Sequence, residues 1–549
     1  MKLSTETQST PKIRLYISLV LAILVAITVP VAEPRAVAAE APQFPVSGFF
    51  VRASPSDAVN TQKLSDIRGA GGDTVITFGS HLMPASLGSV SPDCRIGTAN
   101  CVQAAAAGVR LNRVFAYTDA SPWGAAAVTC PRDRTITSNN KLFTLLVLPT
   151  QGAGCDSPNG AYDIVVISGG RPGTGGATES MARAATAQGM QFFAGMPIPA
   201  KRADLPYLPD LSYQNTFSLF TNRYLRYHAT NNDVPGLAGF YLSTEMPLSS
   251  AAIFEAVLAV YRIQNQAIRA IMPARSAVVS PYIDARSAAA GSTTPAEAQV
   301  AVRNIALTAA GVHLSIAVQD GMGTGKGGAF FGNEASAPVD QPAAAIVGAG
   351  SWGSRYLAPN RDYFVAAAHG VAGTGATLWA NMEGMAPATG ANACDANLRG
   401  QTTNARLDRQ LQQMANAPKK IISFMWDTYN TCAGTGVPLV QQVLAGKATP
   451  LITDSVFDPA SGALTVTGYN LSGVTVELKW TAATGQAQGK TVPASAFNPA
   501  YGRQNGLNPA LQAFTAHVGG TTLNPGTYYM VNITNAWGAR NDAFYSKRG

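Results

Sequence analysis

The chain has 549 residues, 46% of them hydrophobic and 13% charged, with a formal net charge of +8. That length exceeds one small domain and suits two or three units, and the composition excludes both a disordered chain and a highly charged nucleic-acid binder. The modest positive surplus favours anionic envelope polymers over nucleic acid, for which no Lys or Arg cluster is dense enough; a solvated basic surface is the plainer explanation.

At the N-terminus, Lys12 and Arg14 precede an apolar segment from Leu15 to Ala32 and then Ala36-Val37-Ala38. A basic region, an apolar region and a small-residue cleavage site in that order predict a secretory signal over residues 1–38. An uncleaved anchor is the alternative, since the run is near the lower length limit of a spanning helix. Either way the body is expected outside the cytoplasm, secreted or in the cell envelope, with no stable membrane span once the signal is cleaved.

From Phe49 onward short apolar runs alternate with amphipathic stretches, the rhythm of βα units around a parallel sheet. The first two candidate strands are GFFVR from Gly48 and DTVITFG from Asp73. The rhythm then breaks between Leu82 and about Gly175, where four cysteines and two β-like runs, FTLLVLP and YDIVVIS, predict a disulfide-containing insertion. Placed after the second strand, it is expected to rise as a cap over the substrate cleft, with an independent small domain as the alternative.

Six more candidate strands follow: QFFAGMPI from Gln191, GFYLS from Gly239, SAVVSPYI from Ser276, HLSIAVQ from His313, ATLWAN from Ala376 and KIISFMW from Lys420. Eight is the number that closes a (β/α)8 TIM barrel, expected over residues 39–447. Helical patterns lie between them at Ser212 to Ala229, Ser250 to Ile271, Arg406 to Met414 and Val437 to Leu444. Before the sixth strand, Thr294 caps a helix, Pro295 suits its first turn, Glu297 completes a capping box and Gly311 ends the run. Over residues 448–549 the runs GALTVTGYN, VTVELKW and TYYMVNIT alternate apolar and polar residues without an evident helix, predicting a β-sandwich. Its Tyr469, Trp480, Tyr528, Tyr529 and Trp537 form either a sugar-stacking surface or, more commonly for such spacing, packing.

All six cysteines follow the signal, and an even number in a secreted chain favours disulfides. Sequence neighbours pair Cys94 with Cys101, Cys130 with Cys155 and Cys394 with Cys432, although spacing alone permits other connectivities. The last pair would tie the loop after Glu383 to the loop after Asp427. With no C-x-x-C or H-x-H spacing and scattered histidines, a metal site is not expected, and no cofactor is called for.

Glu245 and Glu383 end the apolar runs of the fourth and seventh candidate strands, and the carboxyl ends of barrel strands face the site where such folds do chemistry. Glycosidic hydrolysis needs a proton donor and a second carboxylate, as nucleophile or as base for water. The chain also carries Tyr241 before Glu245, then Ser280-Pro281-Tyr282, Gln319-Asp320-Gly321 and Trp379-Ala380-Asn381-Met382-Glu383. With eight strands and these four motifs in order, from Gly48 to Lys447 without the insertion, the chain resembles the TIM-barrel glycoside hydrolase superfamily of retaining enzymes, and within it an uncharacterised bacterial glycosidase-like branch. The resemblance implies a glycoside hydrolase acting on a polysaccharide or cell-envelope glycan, with Glu245 as acid/base and Glu383 as nucleophile. Many members place Asn before the strand-four Glu; Thr244 stands here, which puts the sugar configuration in question.

Asp284, Asp320 and Asp427 also lie just past strand ends. Asp320, followed by a glycine-rich segment, is a candidate to bind a sugar hydroxyl, to orient a catalytic group, or to replace one of the pair. Tyr241, Tyr282, Gln319 and Asn381 are further substrate-binding candidates. Trp379 and Trp426 fit the floor of a subsite, with barrel packing as the alternative. Two other signals fail: Lys326 in a phosphate-loop-like stretch is followed by Gly327 where Ser or Thr must stand, and Gly350-Ser351-Trp352-Gly353 misses the nucleophile-elbow spacing. The rivals are an inverting enzyme on the same fold and a non-catalytic carbohydrate-binding or surface-adhesion protein on a TIM-barrel scaffold. Sugar identity, endo or exo action and oligomeric state have no readable pattern.

Overall fold

The computed structural model describes residues 41–549 apart from 120, 122, 169, 172–174, 388–392, 396–398 and 520–522. The segment read as a secretory signal, 1–38, lies outside the described residues. Eight parallel strands close into a barrel in chain order: β1 (Gly48–Phe50), β2 (Thr74–Ile76), β3 (Gln191–Gly195), β4 (Leu237–Leu242), β5 (Ser276–Val279), β6 (Leu314–Gln319), β7 (Thr377–Glu383) and β8 (Ile421–Phe424). These are the eight runs expected from the sequence. β8 closes the ring onto β1 through Gly48 opposite Ile422.

Each strand contributes one side chain to a packed interior: Phe50, Ile76, Phe193, Tyr241, Val278, Ala317, Trp379 and Ile422. This ring of apolar groups makes the barrel a solid core, not a pore. The opposite faces of the strands bury against the surrounding helices, among them α1 (Asp57–Gly69), α2 (Ala177–Gln188), α3 (Gln214–Asn231), α4 (Glu255–Ile271), α5 (Pro295–Ala306), α6 (Asn360–Val371), α7 (Asn404–Gln413) and α8 (Leu439–Gly446). α5 begins as its sequence dictates: Thr294 Oγ1 accepts from the Glu297 amide, and Glu297 accepts from the Thr294 amide in return. It stops at Ala306, however, and Gly311 with φ +84° belongs to the turn that starts β6.

The insertion after β2 is a five-stranded mixed sheet that includes Arg110–Thr118, Lys141–Pro149 and Ala161–Ser168. Its position corrects the expected cap. One face, with Phe115, Tyr117, Leu146, Leu148, Val165 and Ile167, merges with the main core. There Tyr117 and Trp123 meet Phe220 of α3 at ring separations of 4.9 and 5.5 Å. The other face is covered by a small cluster holding the Cys94–Cys101 disulfide. The sheet therefore flanks the barrel beside α3, because both of its faces are apolar and a cap exposed over a cleft would leave one of them wet.

Past the barrel, two four-stranded antiparallel sheets share a second core that includes Ile452, Leu464, Val476, Phe514, Val531 and Phe544. This is the expected β-sandwich, with one short helix, Tyr501–Gln504, that the sequence did not announce. Tyr469 and Tyr529 are buried, which removes them from the suggested sugar-stacking surface, whereas Trp480, Tyr528 and Trp537 are partly exposed. Phe331, from the barrel side, enters the sandwich core against Phe544 at 5.0 Å. Disulfides join Cys94 to Cys101, Cys130 to Cys155 and Cys394 to Cys432.

Candidate active site

At the carboxyl end of the barrel, the ends of β4, β6 and β7 hold acidic residues. Glu383 is the last residue of β7 and is 3% exposed. Its carboxylate accepts the Thr324 amide at 2.7 Å and, more loosely, the Thr324 hydroxyl at 3.4 Å. The glycines of the loop from Gly321 to Gly325 make this clamp possible. A Cβ on Gly323 would stand 2.8 Å from Glu383 Cβ, and Gly321 turns with φ +67°. Burial raises the Glu383 carboxyl above the usual carboxylate range; the Thr324 hydrogen bonds and the charges of Arg399 and Lys326 push it back down.

Glu245 stands three residues beyond β4, where a water can reach it although the cleft walls surround it. Gln319, at the end of β6, donates to it at 3.1 Å while its amide also holds the Ser280 carbonyl at 2.7 Å. Enclosure by the walls raises the Glu245 carboxyl, the Gln319 bond lowers it, and the charge of Glu383 raises it further. Each of the two glutamates thus has its own clamp, and they feel each other across the mouth.

Asp320 is buried at 1% exposure directly beneath them. Its Oδ1 accepts the amides of Met322 at 3.0 Å and Glu383 at 3.3 Å, while Oδ2 has no hydrogen-bond partner. Burial first, and then the neighbouring Glu383, lift its carboxyl well above the ordinary range. The two amides it accepts favour the anion and oppose that rise, and through one of them Asp320 fixes the backbone of Glu383.

Tyr282 lines the cleft, with Lys326 Nζ 3.9 Å above its ring. Tyr241 lies one layer down, fully buried and 5.0 Å from the Phe50 ring. Asn381, also below the acids, donates to Ser280 Oγ at 2.9 Å. The remaining candidates do not reach the mouth. Trp379 fills the opposite end of the barrel, against Phe193 at 5.9 Å and with Lys420 5.8 Å from its ring. Trp426 lies outside the barrel wall, edge-on to Phe49 at 5.0 Å in the helix-facing core. Both tryptophans are packing residues, not a subsite floor. Asp284 is engaged by Arg286 through two bonds of 2.8 and 2.6 Å. Asp427 is tied to Lys63 and to the Arg52 amide, stapling α1 to the end of β1.

The cleft that opens over Glu245 has a volume of about 650 Å³. Phe78, Tyr207, Phe254 and Tyr282 give it aromatic walls, and Thr244, whose hydroxyl is buried without a partner, lines it beside Glu245. Sequence reasoning missed Phe78, Tyr207, Thr324 and Lys326. An aromatic residue directly after β2 was a signal for Phe78; the others sit in loops, where no periodicity marks them. Among the described residues no group of acidic, histidine or cysteine side chains could hold a metal ion.

No protein-family model and no curated protein matches the chain. Among solved structures, a provisionally assigned alpha-L-fucosidase of Bacteroides thetaiotaomicron VPI-5482 aligns at a TM-score of 0.38 and 12% identity, over 76% of this chain and 95% of that one. A Bacteroides uniformis beta-glucuronidase aligns at 0.29 and 10% over 68% of this chain, which spans 40% of that protein's length. These scores are too low to carry an argument, and the barrel stands on its own strand order.

Proposed function

We propose that the protein is a secreted glycoside hydrolase of a polysaccharide or cell-envelope glycan, with Glu245 as acid/base and Glu383 as nucleophile. The observation that carries this reading is the placement of two separately clamped glutamates, one past the end of β4 and one at the end of β7, with Glu245 lining an aromatic-walled cleft and Glu383 buried nearby. Hydrolysis would begin with attack of a Glu383 oxygen on the anomeric carbon while Glu245 gives its proton to the departing glycosidic oxygen. Water, deprotonated by Glu245, would then break the glycosyl ester and return both groups to their starting state. The raised Glu245 carboxyl suits a group that must hold a proton near neutrality. Burial raises the Glu383 carboxyl as well, and the Thr324 bonds and the Arg399 and Lys326 charges oppose that rise, toward the ionised form that attack requires.

Three closed disulfides suit an oxidising compartment. No helix among the described residues is long and apolar enough to cross a membrane. Release of reducing sugar from a panel of envelope and plant polysaccharides tests the reading: activity in the mature protein should vanish in Glu383→Gln, and an active variant would overturn it. Glycan binding without release by the wild type would favour the carbohydrate-binding alternative. The retaining course predicts a first product of unchanged anomeric configuration by proton NMR. Inversion would instead require the wider carboxyl spacing of about 6.5 to 9.5 Å.

A further inference from the structure

Charge in the cleft is distributed unevenly. Its lining includes Arg52, Lys201, Lys326 and His81, against a single carboxylate, Glu245. None of Arg52, Lys201 and Lys326 forms an ion pair among the described residues, although ion pairs such as Lys63 with Asp427 and Arg540 with Glu477 occur elsewhere. Elsewhere a basic side chain does pair with a close acid: Arg286, two residues from Asp284, engages it through Nε and one terminal nitrogen.

The positions of the cleft cations are not those of an incidental basic surface. Arg52 follows β1, Lys201 follows β3 and Lys326 sits in the loop after β6, so the three come from separate barrel loops and converge on one cavity. Lys326 is half-buried against the Tyr282 ring, and its enclosure lowers the ammonium below its usual range despite Asp284 and the two glutamates nearby. An enclosed ammonium gains most when a ligand brings a negative group. Tyr207 and Phe78, 54% and 40% exposed, offer sugar faces between these charges.

Resting on the site read above as a glycosidase, we propose that the cleft takes a glycan bearing anionic substituents, sugar carboxylates or sulfate or phosphate esters, with Lys326, Lys201 and Arg52 as counter-charges. The sugar rings lie on the aromatic walls, and their negative groups are held by loops after β1, β3 and β6.

The test separates binding from turnover. The mature Glu383→Gln protein is applied to a glycan array spanning neutral, uronate-containing, sulfated and phosphorylated oligosaccharides, and the best probes are titrated calorimetrically. Binding should concentrate on anionic probes and weaken as sodium chloride rises from 50 to 500 mM, about tenfold or more across that range; which ester or carboxylate binds identifies the substituent. Arg52→Glu and Lys201→Glu, both exposed and thus tolerant of change, should each reduce affinity for the anionic probe about tenfold. Lys326→Met should do likewise. Binding confined to neutral glycans, no binding at all, or affinity unchanged in all three variants would overturn the proposal. Anionic binding without hydrolysis by the wild type would sink the hydrolase reading and leave this one standing, whereas turnover restricted to neutral glycans would do the reverse.

Discussion

The two ends of the barrel differ along a single strand. On β7, Trp379, Asn381 and Glu383 point to the same side, two residues apart. At the lower end Trp379 is enclosed by Phe193, and Lys420 beside it is paired with Asp73. At the upper end Glu383 and Asp320 are buried together, and Asp320 Oδ2, Asn381 Oδ1 and Thr244 Oγ1 lack partners. Along this strand the lower end is packed and paired, while the upper end holds buried polar atoms without partners, as do helix positions such as Thr221, Gln264 and Asn265 elsewhere in the fold.

The sharpest way to break that contrast is to exchange the roles of its ends. Glu383→Gln should lower kcat by about 10^3-fold or more while leaving the melting temperature within a few degrees of wild type. Trp379→Ala should do the opposite, destabilising the protein by about 3 to 5 kcal/mol in urea titrations while the folded fraction keeps its turnover. Equal losses of stability in both variants would erase the distinction.

A smaller effect separates the buried acids by pH. A carboxyl raised in the folded state keeps its proton where the unfolded chain has already lost it. The native protein then binds more protons, so stability declines as pH rises from the ordinary carboxylate range through the raised value. Asp320 has this character through burial and the charge of Glu383. Asp320→Asn retains an oxygen for the Met322 and Glu383 amides but cannot ionise. Its melting temperature should fall less than that of wild type between pH 5 and pH 8, and a parallel fall would show that Asp320 is not the group responsible.

The strands were legible because each is a short apolar run bounded by polar or turn residues, as in SAVV before Ser280-Pro281 and in TLWANME ending at Glu383. Thr294, Pro295 and Glu297 made the start of α5 equally plain. The depth of a side chain along the barrel axis was harder to read. Trp379 shares a side with Glu383 but lies four residues earlier, about 13 Å along an extended strand, and so sits at the closed end. Trp426 follows the end of β8, where strand alternation no longer assigns a face. The insertion stands after β2 as expected, but its reading as a cap overlooked that runs such as FTLLVLP, apolar on both faces, imply a sheet covered on both sides. Thr324 and Lys326 contribute to the site through a glycine-rich loop whose path depends on Glu383 itself, so no local pattern foretold them.

That loop supplies the finest test of the upper end. Thr324 donates twice to Glu383, through its amide at 2.7 Å and through its hydroxyl at 3.4 Å. Thr324→Val removes the hydroxyl, with its longer bond to Glu383 and its 3.1 Å bond to the Gly321 carbonyl, and preserves the shape of the side chain, so kcat should fall by about fivefold, in keeping with the loss of a weak hydrogen bond to a charged group. The hydroxyl favours the ionised carboxylate. Without it the Glu383 carboxyl rises, and the acidic limb of the pH–rate profile should move to higher pH. Thr324→Ser restores the hydroxyl and should return both the rate and the limb toward wild type. A loss of rate with an unmoved acidic limb would mean that Thr324 acts by shaping the loop, and that the amide alone sets the ionisation of Glu383.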